Sequence, residues 1–375
     1  MEEGDQSFPK MLCFFAGSHC PSGMEPPGNA TLCRPYTLHT FIPVFLSFIF
    51  SVGFLLNCLS LWVFWFRIKP WNPSIILQFN LAISDAVISP AAPMLLIYSF
   101  SDHWSFGTFA CQYSVFSLST NMYGGVYFLT LIAIHRYCTI VHSGKWNVLA
   151  KNSFITKLCL GLWAFLFLQG LPFFFVLRTS VIDGATKCLS IHQTEQVLLF
   201  FIWNWAITIL GLLVPFLLTV LCYSLLSQHI LRANPMNPQS QTMISRSLVT
   251  IGVSLTIFII CYIPVHITRT AGVTIKLFSP ESCSLLVKTE AVYYFSWMLS
   301  VANCCIDPVL YCFASNRFRK VFMTWANCLY RPNGRNPGVG AQTGATASEE
   351  PPTRVLPTLK TTDITVSAVT DSHGL

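Results

Sequence analysis

The chain has 375 residues, of which 53% are hydrophobic and only 10% charged, with a formal net charge of +7. Soluble domains carry about 25% charged residues, so this composition excludes an ordinary soluble protein and describes a chain solvated mostly by lipid. The positive charge collects on one side of the predicted membrane, which removes nucleic acid as its explanation.

Residues 1–39 form a short polar tail that opens as MEEGDQSFPK, without a cleavable signal pattern, so the first span is expected to serve as its own insertion signal. Within it, Asn29-Ala30-Thr31 is a glycosylation sequon. Seven apolar stretches follow at 40–66, 74–100, 110–141, 155–177, 197–227, 247–271 and 286–313. Each reaches the roughly 20 residues that cross a bilayer, about twice the length of a barrel strand. The predicted fold class is therefore an all-α membrane protein, a seven-transmembrane helix bundle over residues 40–314. Residues 315–330 place Phe318, Phe322 and Trp325 on one face and basic residues elsewhere, the pattern of a short amphipathic eighth helix on the inner leaflet. Cys328 near its end suits palmitoylation, or remains a plain thiol. From 331 to 375, Gly, Pro, Thr and Ser dominate and a disordered tail is expected.

The short loops set the orientation. Segments 67–73, 142–157 and 228–246 hold Arg67, Lys69, Lys145, Lys151, Lys157, Arg232 and Arg246 and no acid, whereas the opposite side carries Asp102, Asp183, Glu195 and Glu281. The positive-inside rule places the N-terminus outside and the C-terminus in the cytoplasm. Of the 15 cysteines, Cys13, Cys20, Cys33, Cys111, Cys188 and Cys283 then face the oxidising side. An even external set suggests bridges whose connectivity the sequence leaves open. Pairing Cys111 with Cys188 would pin the second external loop over the bundle. Pairing Cys33 with Cys283 would tie the N-terminal tail to the loop before the seventh span.

Two carboxylates, Asp85 and Asp307, stand deep within predicted spans, where a charge costs at least several kcal/mol by some scales. Other landmarks come one or two to a span: Asn57 in the first, Arg136 of His135-Arg136-Tyr137 in the third, and Trp163 in the fourth. Pro215 and Tyr223 follow in the fifth, then Tyr262 and Pro264 of Cys-Tyr-Ile-Pro in the sixth, and Asp307 to Tyr311 in the seventh. Singly, an Asn or Pro in a membrane helix is packing or a kink. In this order, with Arg136 placed 25 residues after Cys111, they resemble the rhodopsin-like class of G-protein-coupled receptors over residues 40–329. No internal repeat points to a transporter, and neither HExxH nor GxSxG points to an enzyme.

That resemblance implies a plasma-membrane receptor with a heterotrimeric G protein and arrestin as partners. Arg136 and Tyr137 at the inner end of the third helix would meet the G protein, Tyr223 and Tyr311 would refill the gap, and Tyr262 and Pro264 would form the toggle and kink of the sixth helix. His135 stands where most members carry an acid. Asp85, Asn121, Asn303 and Asp307 would converge on a sodium ion, the one candidate cofactor, or on water-filled polar packing. Gly125 replaces a serine usual at that site.

For the ligand, His266 and Arg269 lie three residues apart on one face of the sixth helix, outward of Pro264. Arg269 would clamp phosphate or carboxylate, or else reach the lipid headgroups. With His-Arg-Tyr and Lys-Pro-Trp-Asn-Pro at the first internal loop, this pair resembles the purinergic nucleotide receptors and the related oxoglutarate and succinate receptors. Those carry a further cation in the seventh helix, where this chain has Trp297, next to Tyr293 and Tyr294. Tyr123 completes the expected ligand set, with Lys187, Lys276 and Lys288 placed in loops as substitute cations. A nucleotide-like anion, an acidic lipid or small carboxylate, and ligand-free constitutive signalling are the alternatives.

Overall fold

The computed structural model describes residues 41–141, 148–182, 184–188, 197–232 and 238–330, without the side chains of 182, 238–244, 314 and 325–330. The expectations for Asn29, Cys33, the outer tail and residues 331–375 fall outside this set, as does the side chain of Cys328.

Among the described residues six helices are long and apolar enough to cross a membrane: Phe41–Arg67, Gly107–Val141, Asn152–Val176, Val197–Arg232, Ser245–Phe278 and Cys283–Phe313. They are the first and the third to seventh helices of the bundle. The second crossing, expected as one helix over 74–100, is instead two: Pro73–Ala86 and Ala92–Ser101. Pro90 and Pro93 have no N–H to donate. Between the two helices the backbone tightens to three-residue bonds, Ser89 N–H to the Ala86 carbonyl and Ala91 N–H to that of Ile88, both 3.0 Å. The sixth helix also runs past its predicted end at 271, to Phe278.

Proline shapes two other helices differently. One residue before Pro215 and again before Pro264, the chain widens into a π-turn: Val214 N–H bonds the Ile209 carbonyl and Ile263 N–H bonds that of Phe258. Each turn absorbs an extra residue and rotates the side chains that follow it. The seventh helix turns at Ala302, between Cys283–Val301 and Asn303–Ala314, with Pro308 inside the second part.

Polar side chains tie the helices together where lipid offers no partner. Asn57 of the first helix donates to the Cys304 carbonyl of the seventh at 2.8 Å. Trp163 of the fourth donates to Asn80 Oδ1 of the second at 2.8 Å, and Thr219 of the fifth to Thr130 of the third at 3.1 Å. Outward faces carry Phe54, Leu55, Leu168 and Leu217, all more than half exposed, as lipid-facing surfaces require. After the seventh helix, Asn316–Tyr330 forms a further helix whose fully buried Phe318 packs on Phe64 and Tyr311, with ring centroids 4.9 and 5.6 Å apart.

The loop between the fourth and fifth helices holds a two-stranded hairpin, β1 (Ser180–Ile182) and β2 (Ala185–Lys187), antiparallel with Ser180 opposite Lys187. Gly184, at φ 78°, makes its turn. Cys111 and Cys188 are bridged. Around that bridge Tyr98 donates to the Cys188 carbonyl at 2.9 Å, and Trp104 N–H to the Thr186 carbonyl at 2.8 Å. Lys187 Nζ meets an Asp102 carboxylate oxygen at 2.6 Å. Cys283 is also disulfide-bonded; its expected partner Cys33 lies outside the described residues. Cys111→Ser is expected to loosen this hairpin at a cost of about 2–4 kcal/mol, read as reduced antibody staining of intact cells. Undiminished staining and thermal stability would show that the hairpin is held without the bridge.

Candidate functional site

Arg269 turns into the bundle. Its Nε donates to Asn204 Oδ1 of the fifth helix at 2.7 Å and its Nη2 to the Tyr123 hydroxyl of the third at 2.8 Å. Nη2 also lies 3.4 Å from His266 Nδ1, one turn below. Asn204 is itself held, donating to Thr270 at 2.9 Å. Gly211 makes the arrangement possible, because a side chain there would run into the Tyr123 ring within 2.6 Å. The snorkelling alternative for Arg269 is therefore not adopted. The guanidinium is fixed by neutral oxygens and keeps its charge uncompensated by any of these three partners.

The guanidinium borders a cavity of about 240 Å³, lined also by Lys276, Tyr293, Tyr294, Trp297 and Asn121. The remaining wall is largely aliphatic. His266 and Tyr123 are not among the lining residues. They stand behind Arg269, with rings 5.6 Å apart, and act as its supports. The expected loop lysines fare differently. Lys187 is committed to Asp102, Lys288 is exposed on the seventh helix, and Lys276 is helical because the sixth helix continues beyond 271. Sequence reasoning also passed over Glu290, a third acid within the spans, only 1% exposed and within electrostatic reach of Lys276. Asn204 was missed as a lone polar residue in an apolar run. A search of the neighbouring helix for an acceptor that an inward Arg269 requires would have found it.

Asp85, Asn121, Asn303 and Asp307 come together in mid-bundle, none more than 2% exposed. Asn121 Nδ2 lies 3.4 Å from Asp85 Oδ1. Asp85 Oδ2, both Asp307 oxygens and Asn303 Oδ1 are buried without a hydrogen-bond partner. A cluster of unpartnered oxygens, two of its residues carboxylates, has the donor chemistry of a hard cation site. The cavity above shares Asn121 with this cluster.

At the inner end, Arg136 lies within electrostatic reach of Tyr223, which donates to Ser254 of the sixth helix at 3.2 Å. Tyr137 packs beside the cluster of Ala133, Tyr223 and Leu226. Tyr311 is fully buried against Phe64, with ring centroids 5.3 Å apart. Pro264 follows directly on the π-turn. Arg136, Tyr137 and Tyr223 thus lie together, whereas Tyr262 and Pro264 stand at mid-bundle, where Tyr262 meets Asn303.

Residues 56–311 match the 7 transmembrane receptor (rhodopsin family), and the chain belongs to that family. It is a multi-pass plasma-membrane receptor that signals through G proteins, and not an enzyme. Among curated relatives, purinoceptor 4 of Rattus norvegicus is 34% identical over 79% of this chain and 82% of its own. The Homo sapiens purinoceptor 4 is 33% identical over 74% and 76%. Purinoceptor 1 of Gallus gallus is 29% identical over 78% and 82%.

The Arg269 geometry yields a test that leaves the fold intact. Asn204→Asp keeps an oxygen on Nε but cancels the positive charge, and is expected to lower potency of any anionic agonist by roughly tenfold or more, about 1.4 kcal/mol. Concentration–response curves at matched surface expression check it, and unchanged potency would remove the guanidinium from the binding site.

Proposed function

We propose that this receptor is activated from outside by a small anionic, nucleotide-like ligand whose phosphate or carboxylate docks on Arg269. The carrying observation is the inward guanidinium, oriented by Asn204 and Tyr123 at the wall of the outer cavity. Such a group offers paired donors to a planar or tetrahedral anion in a medium of low dielectric constant. Tyr293, Tyr294 and Trp297 supply flat faces for a base or other ring. The similarity to the purinoceptors supports the same reading. Lys187 is bound to Asp102, and Trp297 stands where the related receptors carry a cation. Lys276 is then the one basic residue beside Arg269 among those lining the cavity, which favours a ligand with few charges over a long polyphosphate.

The signal leaves through Arg136, Tyr137, Tyr223 and Tyr311 once the sixth helix swings about Pro264, and arrestin is a second cytoplasmic partner. Asp85, Asn121, Asn303 and Asp307 hold a sodium ion in the resting state. Their buried, unpartnered oxygens support this, and an ion bound there would neutralise one carboxylate charge. The N-terminus is extracellular and the C-terminus cytoplasmic, with glycosylation at Asn29, a Cys33–Cys283 bridge, and palmitoylation of Cys328 anchoring the last helix to membrane lipid.

The test is G-protein dissociation in cells exposed to nucleotides, dicarboxylates and acidic lipids. Arg269→Ala is expected to abolish the response at normal surface expression. Ligand-independent signal in both proteins, with no responder in the panel, would favour constitutive activity instead. Arg136→Ala is expected to abolish coupling while leaving agonist binding and surface expression intact; normal coupling by that variant would refute its role.

A further inference from the structure

We propose that the hydroxyl of Tyr262 is a ligand of the mid-bundle cation site, so that the sixth helix itself supplies one of the site's oxygens. The inference rests on the cation reading of Asp85, Asn121, Asn303 and Asp307, and adds a residue and a helix to it.

Four observations carry it. Asn303 Nδ2 donates to the Tyr262 hydroxyl at 2.5 Å, and the other amide atom, Asn303 Oδ1, is among the unpartnered buried oxygens. Gly125 lies one turn below Asn121 on the cluster-facing side of the third helix. A Cβ added at Gly125 would collide with the Tyr262 hydroxyl and stand 3.0 Å from Asn303 Nδ2. The tyrosine oxygen thus occupies the volume that a side chain from the third helix would fill. Tyr262 is fully buried and within electrostatic reach of both Asp307 and Asp85. Finally, Tyr262 is the last residue of the π-turn Phe258–Tyr262, the local widening that rotates its ring toward the seventh helix.

A phenolic hydroxyl both donates and accepts. It can take the Asn303 N–H, offer its remaining electron density to a cation, and give its proton to a carboxylate. The consequence is mechanical. Asp85, Asn121, Asn303 and Asp307 sit on the second, third and seventh helices, whereas Tyr262 rides on the helix that carries Pro264. Outward rotation of the sixth helix would withdraw a cation ligand, and a bound cation would hold that helix inward. Occupancy and helix position become one equilibrium.

The experiment uses the purified full-length receptor in lipid nanodiscs, with thermal unfolding measured in sodium chloride and in choline chloride at equal ionic strength. Four proteins are compared: wild type, Tyr262→Phe, Gly125→Ser and the double variant. Wild type is expected to melt higher in sodium, and Tyr262→Phe to lose that shift. Gly125→Ser alone should melt lower in choline, because its side chain collides with Tyr262. The double variant, which moves the hydroxyl from the sixth helix to the third, should recover both the melting temperature and the sodium shift. A wild type with no sodium shift would defeat the cation reading itself. A wild-type shift that survives intact in Tyr262→Phe, or a double variant that recovers neither property, would overturn the role of Tyr262 alone.

Discussion

A guanidinium within a lipid-embedded bundle finds no partner in the lipid, and neighbouring helices must hold it. Arg269 meets that demand with Asn204 on the fifth helix and Tyr123 on the third, joining three helices around one charge. Gly211 is small because Tyr123 needs the space, and Asn204 is buried because it serves the guanidinium and Thr270 together. The outer half of the bundle is arranged about this contact. Asn204 and Tyr123 both present neutral oxygens, so the positive charge stays available to an anion in the adjoining cavity.

The same constraint operates at the next level down. Unpartnered carboxylate oxygens in mid-bundle are expensive unless something shares them, and Asn121, which lines the cavity, lies 3.4 Å from Asp85 Oδ1. The cavity that Arg269 borders and the cluster suited to a cation thus share Asn121. At the other end of the bundle, Arg136 lies near Tyr223, which bonds Ser254 of the sixth helix. Pro264 and its π-turn stand between the two ends. A ligand that draws on Arg269 pulls on the helix that carries this turn, which gives a physical route from the outer cavity to the inner face.

Much of this is legible in the residues. Helix number and length follow from apolar run length, and the landmark order points to the family matched over residues 56–311. The bridged loop follows from Cys111 and Cys188. Other features are visible along the chain but easily underweighted. Pro90 and Pro93 divide the second crossing. Lys276 reads as a loop residue when the span is ended at 271, whereas the helix runs on to Phe278, whose ring packs 5.8 Å from that of Phe201. Glu290 lies inside a predicted span, near its end, where an acid reads as part of the rim. Complementarity between distant positions has no signature along the chain. Gly125 departs from the serine usual at its place, and only its close approach to Tyr262 in space shows that one fills the other's room.

The central claim is that Arg269 holds an external anion. Its most direct measurement is thermal stabilisation of the purified receptor by adenosine and uridine mono-, di- and triphosphates, compared between wild type and Arg269→Gln. The account predicts that at least one of these anions raises the melting temperature of the wild type with saturable dose dependence, and leaves the variant unmoved. Equal stabilisation of both proteins would place the anion elsewhere and contradict it.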